Sequence, residues 1–512
     1  MAVEALGCSH LWKRFGEFCA NADVSLSVER GALHAVIGEN GAGKSTLMRG
    51  LYGIDPPDEG EVRFGGEVVT ASVQNAIARG VGMVHQHFML VPTLTVAENV
   101  MLGRESCQRL LLDERRVERE LGEVAARYRL AVEPQRLVRD LSVGEAQRVE
   151  ILKVLWRGAD VLILDEPTAV LTPLEVVELG RTLRELCASG KTVVLVTHKL
   201  DEVMTLCDRV TVLRRGEVVG DHRVADTNPQ KLALAMVGRE VDLERRPLPM
   251  RQPSRPRLSV AGFSVERSDG TAALVDVSFD VEAGEMLGVA GVEGNGQSEL
   301  VLALAGLHSQ SGGRVSVDGE DLTAYSPRRR QRSGLRWILE DRQQRGLALD
   351  FSVEENVLLG HEEKYSRAGW VERAKLRRNA KQVIEAMQIN PPDIDRPARA
   401  LSGGNQQKIV VGRELGSALK VLLCAQPTRG VDVGAAARIH AALLAERARG
   451  TSVLLLSADL DELLSLCDRI AVLFRGRMVG TIVNDFARAA EVRQTLAHWM
   501  LGVLRQAQDE RL

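Results

Sequence analysis

Residues 33–46 read LHAVIGENGAGKST. An apolar run of strand length passes straight into the loop Gly38, Glu39, Asn40, Gly41, Ala42, Gly43, and Lys44, Ser45 and Thr46 then open GKSTLMRGLYG, which has helical spacing. The stretch fits G-x-x-x-x-G-K-[ST] in the one context where that pattern carries meaning, after a strand and before a helix. The glycines let backbone N–H groups curl around phosphate oxygens, and the helix directs its positive end at the same anion. Lys44 is expected on the β- and γ-phosphates of a nucleotide and Ser45 on Mg²⁺.

Outward from the loop, further strand-then-helix units follow. VLILD (161–165) and TVVLVT (192–197) are continuous apolar runs, as parallel strands covered on both faces require, with the helical pattern LEVVELGRTLREL (174–186) between them. Residues 112–130 are charged and helical, and read as a helical subdomain inserted in the α/β core. Asp165 and Glu166 close the first run; one acid there holds Mg²⁺ and the other polarises an attacking water. His198 follows the second run in a position to contact a γ-phosphate, against the ordinary reading of a lone surface histidine. Gln86, in MVHQHFML, is a candidate ligand of both Mg²⁺ and the attacking water; its neighbours His85 and His87 read as loop-exposed. Ser142 in LSVGEAQ and Ser402 in LSGGNQQ are good N-caps, and the glycines after them leave N–H groups for an anion. Phe15, in KRFGEF, is placed to stack on an adenine; packing at an edge is the competing reading.

The pattern then repeats. VVLVTHKLDEVMTLCDRVTVLRRG (193–216) aligns with VLLLSADLDELLSLCDRIAVLFRG (453–476), and VLILDEPT with VLLCAQPT, at an offset of 260 residues (425 − 165). Such a period is domain duplication, too long for a stacked repeat. The second copy lacks the chemical groups: Gln297 stands for Lys44, Glu340 for Gln86, Ala425 and Gln426 for the two acids, and Ala458 for His198, while Gly291, Gly294, Gly296 and Ser298 persist. Proline-rich PLPMRQPSRPR separates the copies, so the expected domains are 1–245, a linker over 246–257, and 258–505, with the polar end RQAQDERL frayed.

Composition sets limits. With 512 residues, 45% of them hydrophobic, the chain can build two cores; a net charge of −3 gives no basic field that would call for nucleic acid. No apolar run approaches the roughly 20 residues of a membrane span, and no secretory signal opens the chain. The seven cysteines show no C-x-x-C pair and read as reduced, mostly buried residues.

Together GENGAGKST, Gln86, LSVGEAQ, VLILDEPT and His198 resemble the ATP-binding cassette ATPases. The duplicated form looks like the ATPase subunits of sugar and nucleoside importers. MVHQHFMLVPTLTVAENV and AQPTRGVDVG look most like the nucleoside, basic-membrane-protein-linked branch, because sugar-type relatives usually keep the acidic pair in the second copy. The resemblance implies tandem P-loop nucleotide-binding domains, ATP and Mg²⁺, and head-to-tail pairing of cassettes. Glu166, His198 and Gln86 would then be catalytic, and Ser45, Gln86 and Asp165 would hold the metal. Ser402, Gly403, Gly404 and Gln406, with Asp432, would complete the first site; Thr172 matches Asp432 in the other. The resemblance further implies two transmembrane permease subunits, an extracytoplasmic binding protein or lipoprotein reached through them, peripheral attachment to the cytoplasmic face of the membrane, and no nucleic acid. A simple-sugar importer and a soluble twin-cassette ATPase acting on ribosomes or nucleic acid are the alternatives.

Overall fold

The computed structural model describes residues 3–16, 18–86, 88–104, 107–108, 111–112, 114–168, 171, 173–238, 255–267, 269–291, 294–367, 369–416, 419–500 and 502. The chain divides into two units, Met1–Val241 and Asp242–Leu512.

In the first unit, the apolar runs become a six-stranded sheet in the order Val81–Val84, Val161–Asp165, Thr192–Thr197, Leu33–Ile37, Arg209–Arg214, Glu217–Arg223. Its first five strands are parallel, and only the last pair is antiparallel. Every residue of Leu33–Ile37, Val161–Asp165 and Thr192–Thr197 is buried, which explains the absence of alternation in their sequence. Each fully covered Leu, Ile or Val there contributes about 1.5–3 kcal/mol by leaving water. A second, antiparallel sheet runs Phe18–Glu29, Glu4–Phe15, Glu59–Phe64, Glu67–Val69. Helices Val96–Met101, Glu114–Arg127 and Val143–Trp156 pack on one another as the expected helical subdomain. Two of them begin on reciprocal caps: Thr95 with Glu98, and Ser142 with Glu145.

The second unit repeats the plan. Its six-stranded sheet runs Leu335–Ile338, Val421–Ala425, Ser452–Ser457, Met286–Ala290, Arg469–Phe474, Arg477–Val483. Its antiparallel sheet runs Ala272–Glu282, Pro256–Glu266, Gly312–Val317, Glu320–Asp321. Helices Val353–Leu358, Arg373–Met387 and Gly403–Glu414 form the helical part.

The expected linker ran to 257, but a strand already begins at Pro256, pairing with Glu282. Proline is tolerated there because it is the first residue of the strand, where pairing with Gly312–Val317 has not yet begun and no ladder hydrogen bond needs its N–H. The rest of that stretch up to 254, and the tail from 503, lie outside the described residues. Six cysteines are free, four of them buried; Cys107 is not among the described side chains. Among the described residues no helix is long and apolar enough to cross a membrane.

Candidate functional site

The glycine loop of the first unit is shaped by its neighbours. Gly43 has φ +96, and a Cβ there would lie 2.3 Å from the carbonyl oxygen of Ala20. Asn21, fully buried, donates from Nδ2 to the Gly43 carbonyl at 3.1 Å. Gly38 is equally constrained, since its Cβ would meet the Leu213 carbonyl at 2.3 Å. The loop therefore closes on Lys44, whose buried ammonium donates to the carbonyls of Gly38 (2.8 Å) and Glu39 (3.0 Å). Helix Lys44–Tyr52 starts at this point, so its positive end and the ammonium face the same space. Thr46 lies in the helix's first turn, and Glu39, Asn40, Gly41 and Ala42 form the bend. Nothing in the local pattern of strand Phe18–Glu29 marks Asn21, so sequence reasoning missed it.

Parallel register brings the acids to the same edge. Strand Val161–Asp165 lies two places from Leu33–Ile37, and Ser45 Oγ donates to Asp165 Oδ1 at 3.1 Å. Burial pushes the Asp165 carboxyl above its usual range, helped by the neighbouring Glu166 charge. A desolvated carboxylate and a hydroxyl converging in this way are hard oxygen donors that fit a small dication. Glu166 follows with φ +48, held by its N–H on the Val196 carbonyl at 2.9 Å. This turn aims its carboxylate between two partners: Gln86 Nε2 donates to Oε2 at 3.0 Å, and His198 Nδ1 stands 3.1 Å from Oε1. Burial by itself would raise the Glu166 pKa; the hydrogen bond and charge of His198, with Lys44 and Lys199, bring it below the ordinary carboxylate value. The side chain is thus an ionised acceptor in a mostly dry place, adjacent to a cationic phosphate loop.

The remaining expected residues fall as follows. Phe15 ends strand Glu4–Phe15 half exposed, opposite Phe18, with Lys13 Nζ 5.5 Å from its ring centre. Ser402 caps helix Gly403–Glu414, its Oγ accepting from Asn405 N at 3.4 Å. Gly404 is buried beside Asp432, which caps the helix Val433–Ala448. Gln406 was expected on the nucleotide, but its side chain is buried: Nε2 donates to the Ala398 carbonyl, and Oε1 accepts from Gln343. Gln406 therefore braces the start of helix Gly403–Glu414 from inside, because the helical repeat turns position 406 toward the core. At the start of helix Val143–Trp156 a Cβ on Gly144 would lie 2.2 Å from a carboxylate oxygen of Glu175, so an acid crowds that helix start. His85, expected exposed, lines a cavity of about 150 Å³ with Tyr52, Met83, Met89, Glu150 and Lys153. His87 and Thr172 lie outside the described residues.

The second unit keeps the backbone turns among its described residues and loses the groups. Gly296 has φ +106 and opens helix Gln297–Leu304, and Gln426 has φ +49 with its N–H on the Leu456 carbonyl at 2.8 Å, both as in the first unit. Ala425 is buried where Asp165 stood. Ser298 Oγ turns to Glu340 Oε2 at 2.8 Å, and Glu340 is ion-paired with Arg429.

Comparison with known proteins identifies the family. The family model described as "ABC transporter" matches residues 22–169 and 274–429. The chain is 45% identical over 475 residues to the Guanosine import ATP-binding protein NupO of Bacillus subtilis (strain 168), covering 92% of each. It is 43% identical to the Nucleoside import ATP-binding protein NupA of Lactococcus lactis subsp. cremoris (strain MG1363), covering 94% of this chain and 95% of that one. Its identity to the Ribose import ATP-binding protein RbsA of Chromobacterium violaceum (strain ATCC 12472) is 38%, covering 91% of this chain and 92% of that one.

Proposed function

This chain belongs to the ABC transporter family, with two nucleotide-binding cassettes in one polypeptide, and on that premise we propose that it is the ATP-hydrolysing, energy-coupling subunit of an importer, with one hydrolytic site. The observation that carries the reading is the Glu166 carboxylate held between Gln86 and His198 beside the Lys44 loop. In the second unit every one of those side chains is replaced.

The work of each residue follows from its setting. The loop N–H groups from Gly38 to Lys44 and the Lys44 ammonium bind the β- and γ-phosphates of ATP. Glu166, kept ionised by His198, accepts a proton from the water that attacks phosphorus. His198 holds that carboxylate in place and meets the γ-phosphate, so loss of the phosphate is felt on the Glu166 side. Ser45, Asp165 and Gln86 would hold Mg²⁺, which when bound draws charge from the phosphate oxygens. Phe15 stacks on adenine in this reading, an assignment that rests on the family resemblance.

Import requires membrane partners, and two permease subunits served by an extracytoplasmic binding protein complete the proposal. The cavity lined by His85, which precedes Gln86 in the chain, has room for a permease side chain, so docking there would report on the catalytic glutamine. The chain would then sit at the cytoplasmic face of the membrane. Nucleosides are the proposed cargo, since the nucleoside-import relatives share 45% and 43% identity with the chain, against 42% for a glucose-import relative and 38% for the ribose-import relative. A simple sugar is the second reading. Glu166→Gln in the purified protein tests the hydrolytic assignment: ATP turnover falls to background, and turnover near the parent rate refutes it. Thermal shifts of the partner binding protein with guanosine or ribose decide the cargo.

A further inference from the structure

We propose that the second unit holds nucleotide phosphate without a divalent cation, the guanidinium of Arg429 taking the metal's place. The inference rests on reading that unit as a nucleotide-binding cassette, and deepens it.

The argument begins with five matched positions. Lys44, Gln86, Asp165, Glu166 and Ala169 of the first unit correspond to Gln297, Glu340, Ala425, Gln426 and Arg429 of the second. The hydroxyl of the phosphate-loop serine is kept in both. In the first unit it donates to the buried Asp165 at 3.1 Å; in the second Ala425 offers no oxygen, and Ser298 donates to Glu340 at 2.8 Å. Arg429 pairs with that same carboxylate. Its backbone is fixed from both sides, the N–H on the Gln426 carbonyl at 3.1 Å and the carbonyl accepting from Arg342 Nη1 at 2.9 Å. The glutamate and the arginine both depart from the first unit, and they meet.

The donor set does not fit Mg²⁺. Mg²⁺ in nucleotide sites takes one or two protein carboxylates beside phosphate oxygens and water; here Ala425 offers no oxygen, and the Glu340 carboxylate already has a guanidinium against it. At the matched positions the first unit has Asp165 and Glu166 against Lys44, and the second has Glu340 against Arg429. A planar guanidinium with five donors suits phosphate oxygens as a metal ion does, and cannot be lost to chelators. The backbone cradle at Gly296 and the turn at Gln426 remain as in the hydrolytic unit. Without a general base or a metal, the ligand is held and not cleaved.

The test uses the full-length chain carrying Lys44→Ala, which disables the first loop, and mant-ATP as the probe, in excess Mg²⁺ or excess EDTA. Saturable binding of equal affinity in both conditions is expected. Adding Arg429→Ala weakens it about tenfold or more, while adding Glu340→Gln, which takes the competing carboxylate off the guanidinium, strengthens it in EDTA. A misfolded variant cannot produce the second result. With ATP and Mn²⁺, electron paramagnetic resonance on the unmutated chain should count one bound ion per chain. Absence of saturable binding in the Lys44→Ala protein overturns the proposal, because the ion pair would then only fill the space; so does binding that requires Mg²⁺, or two Mn²⁺ per chain. None of these outcomes bears on the hydrolytic reading, which stands or falls with Glu166→Gln.

Discussion

Glu166 illustrates how much of a residue's chemistry is set by its neighbours. Its position after an apolar strand marks it as a candidate base, yet its aim comes from Gln86 and His198, 80 and 32 positions away, and its pKa from burial opposed chiefly by His198. Removing the imidazole removes a cause that lowers the Glu166 pKa, so burial would then dominate and move it up. His198→Ala is accordingly expected to shift the acid limb of the kcat–pH profile to higher pH and to reduce kcat at neutral pH by about tenfold to a hundredfold. A pH profile unchanged in shape would show that His198 acts only on phosphate. Gly43→Ala makes a second case. The new methyl meets the Ala20 carbonyl with φ at +96, so equilibrium ATP binding is expected to fall sharply; unchanged binding would mean that the loop moves aside without cost.

Elements carry their own predictions. Strand Leu33–Ile37 places His34 in the core, where Nε2 donates to the Thr211 hydroxyl at 2.8 Å, since that hydroxyl gives its own proton to Asp221. Burial pushes the imidazole pKa down to about 4, from 6.5 in the unfolded chain. The unfolded chain takes up a proton that the folded one refuses, so this contribution is whole above about pH 6.5 and fades as pH falls toward 4. The difference amounts to about 3 kcal/mol. The melting temperature of the first unit should drop between pH 7 and 5, and less so in a His34→Gln variant that keeps the hydrogen bond. Helix Val143–Trp156 offers a milder test. Ser142→Ala breaks a reciprocal cap with Glu145 and should cost about 1 kcal/mol by denaturant unfolding. These starts were legible as sequence because capping is a local transaction among four residues. The burial of Gln406 was not, since a glutamine three residues past a glycine reads equally well as surface until the packing partner Gln343 is known.

At the scale of the molecule, the two units differ in duty while sharing a plan. Gln426→Ala in the second unit is expected to leave ATP turnover within about twofold, whereas Glu166→Gln in the first abolishes it, a contrast measured by one phosphate-release assay. Duplication, the α/β class, the inserted helices and the loss of the acidic pair could all be read from the chain, because strand length, helical period and glycine spacing are local and survive in one dimension. Side-chain partnerships across the sheets could not. Parallel strands put residues from distant parts of the chain at one edge, and only that register decides that Ser45 reaches Asp165 while Ser298, denied an acid at 425, reaches Glu340 and through it Arg429. Sequence dictated the elements because backbone hydrogen bonding and burial act over a few residues; the folded arrangement chose the charge pairs because Coulomb and hydrogen-bond energies depend on distance in space.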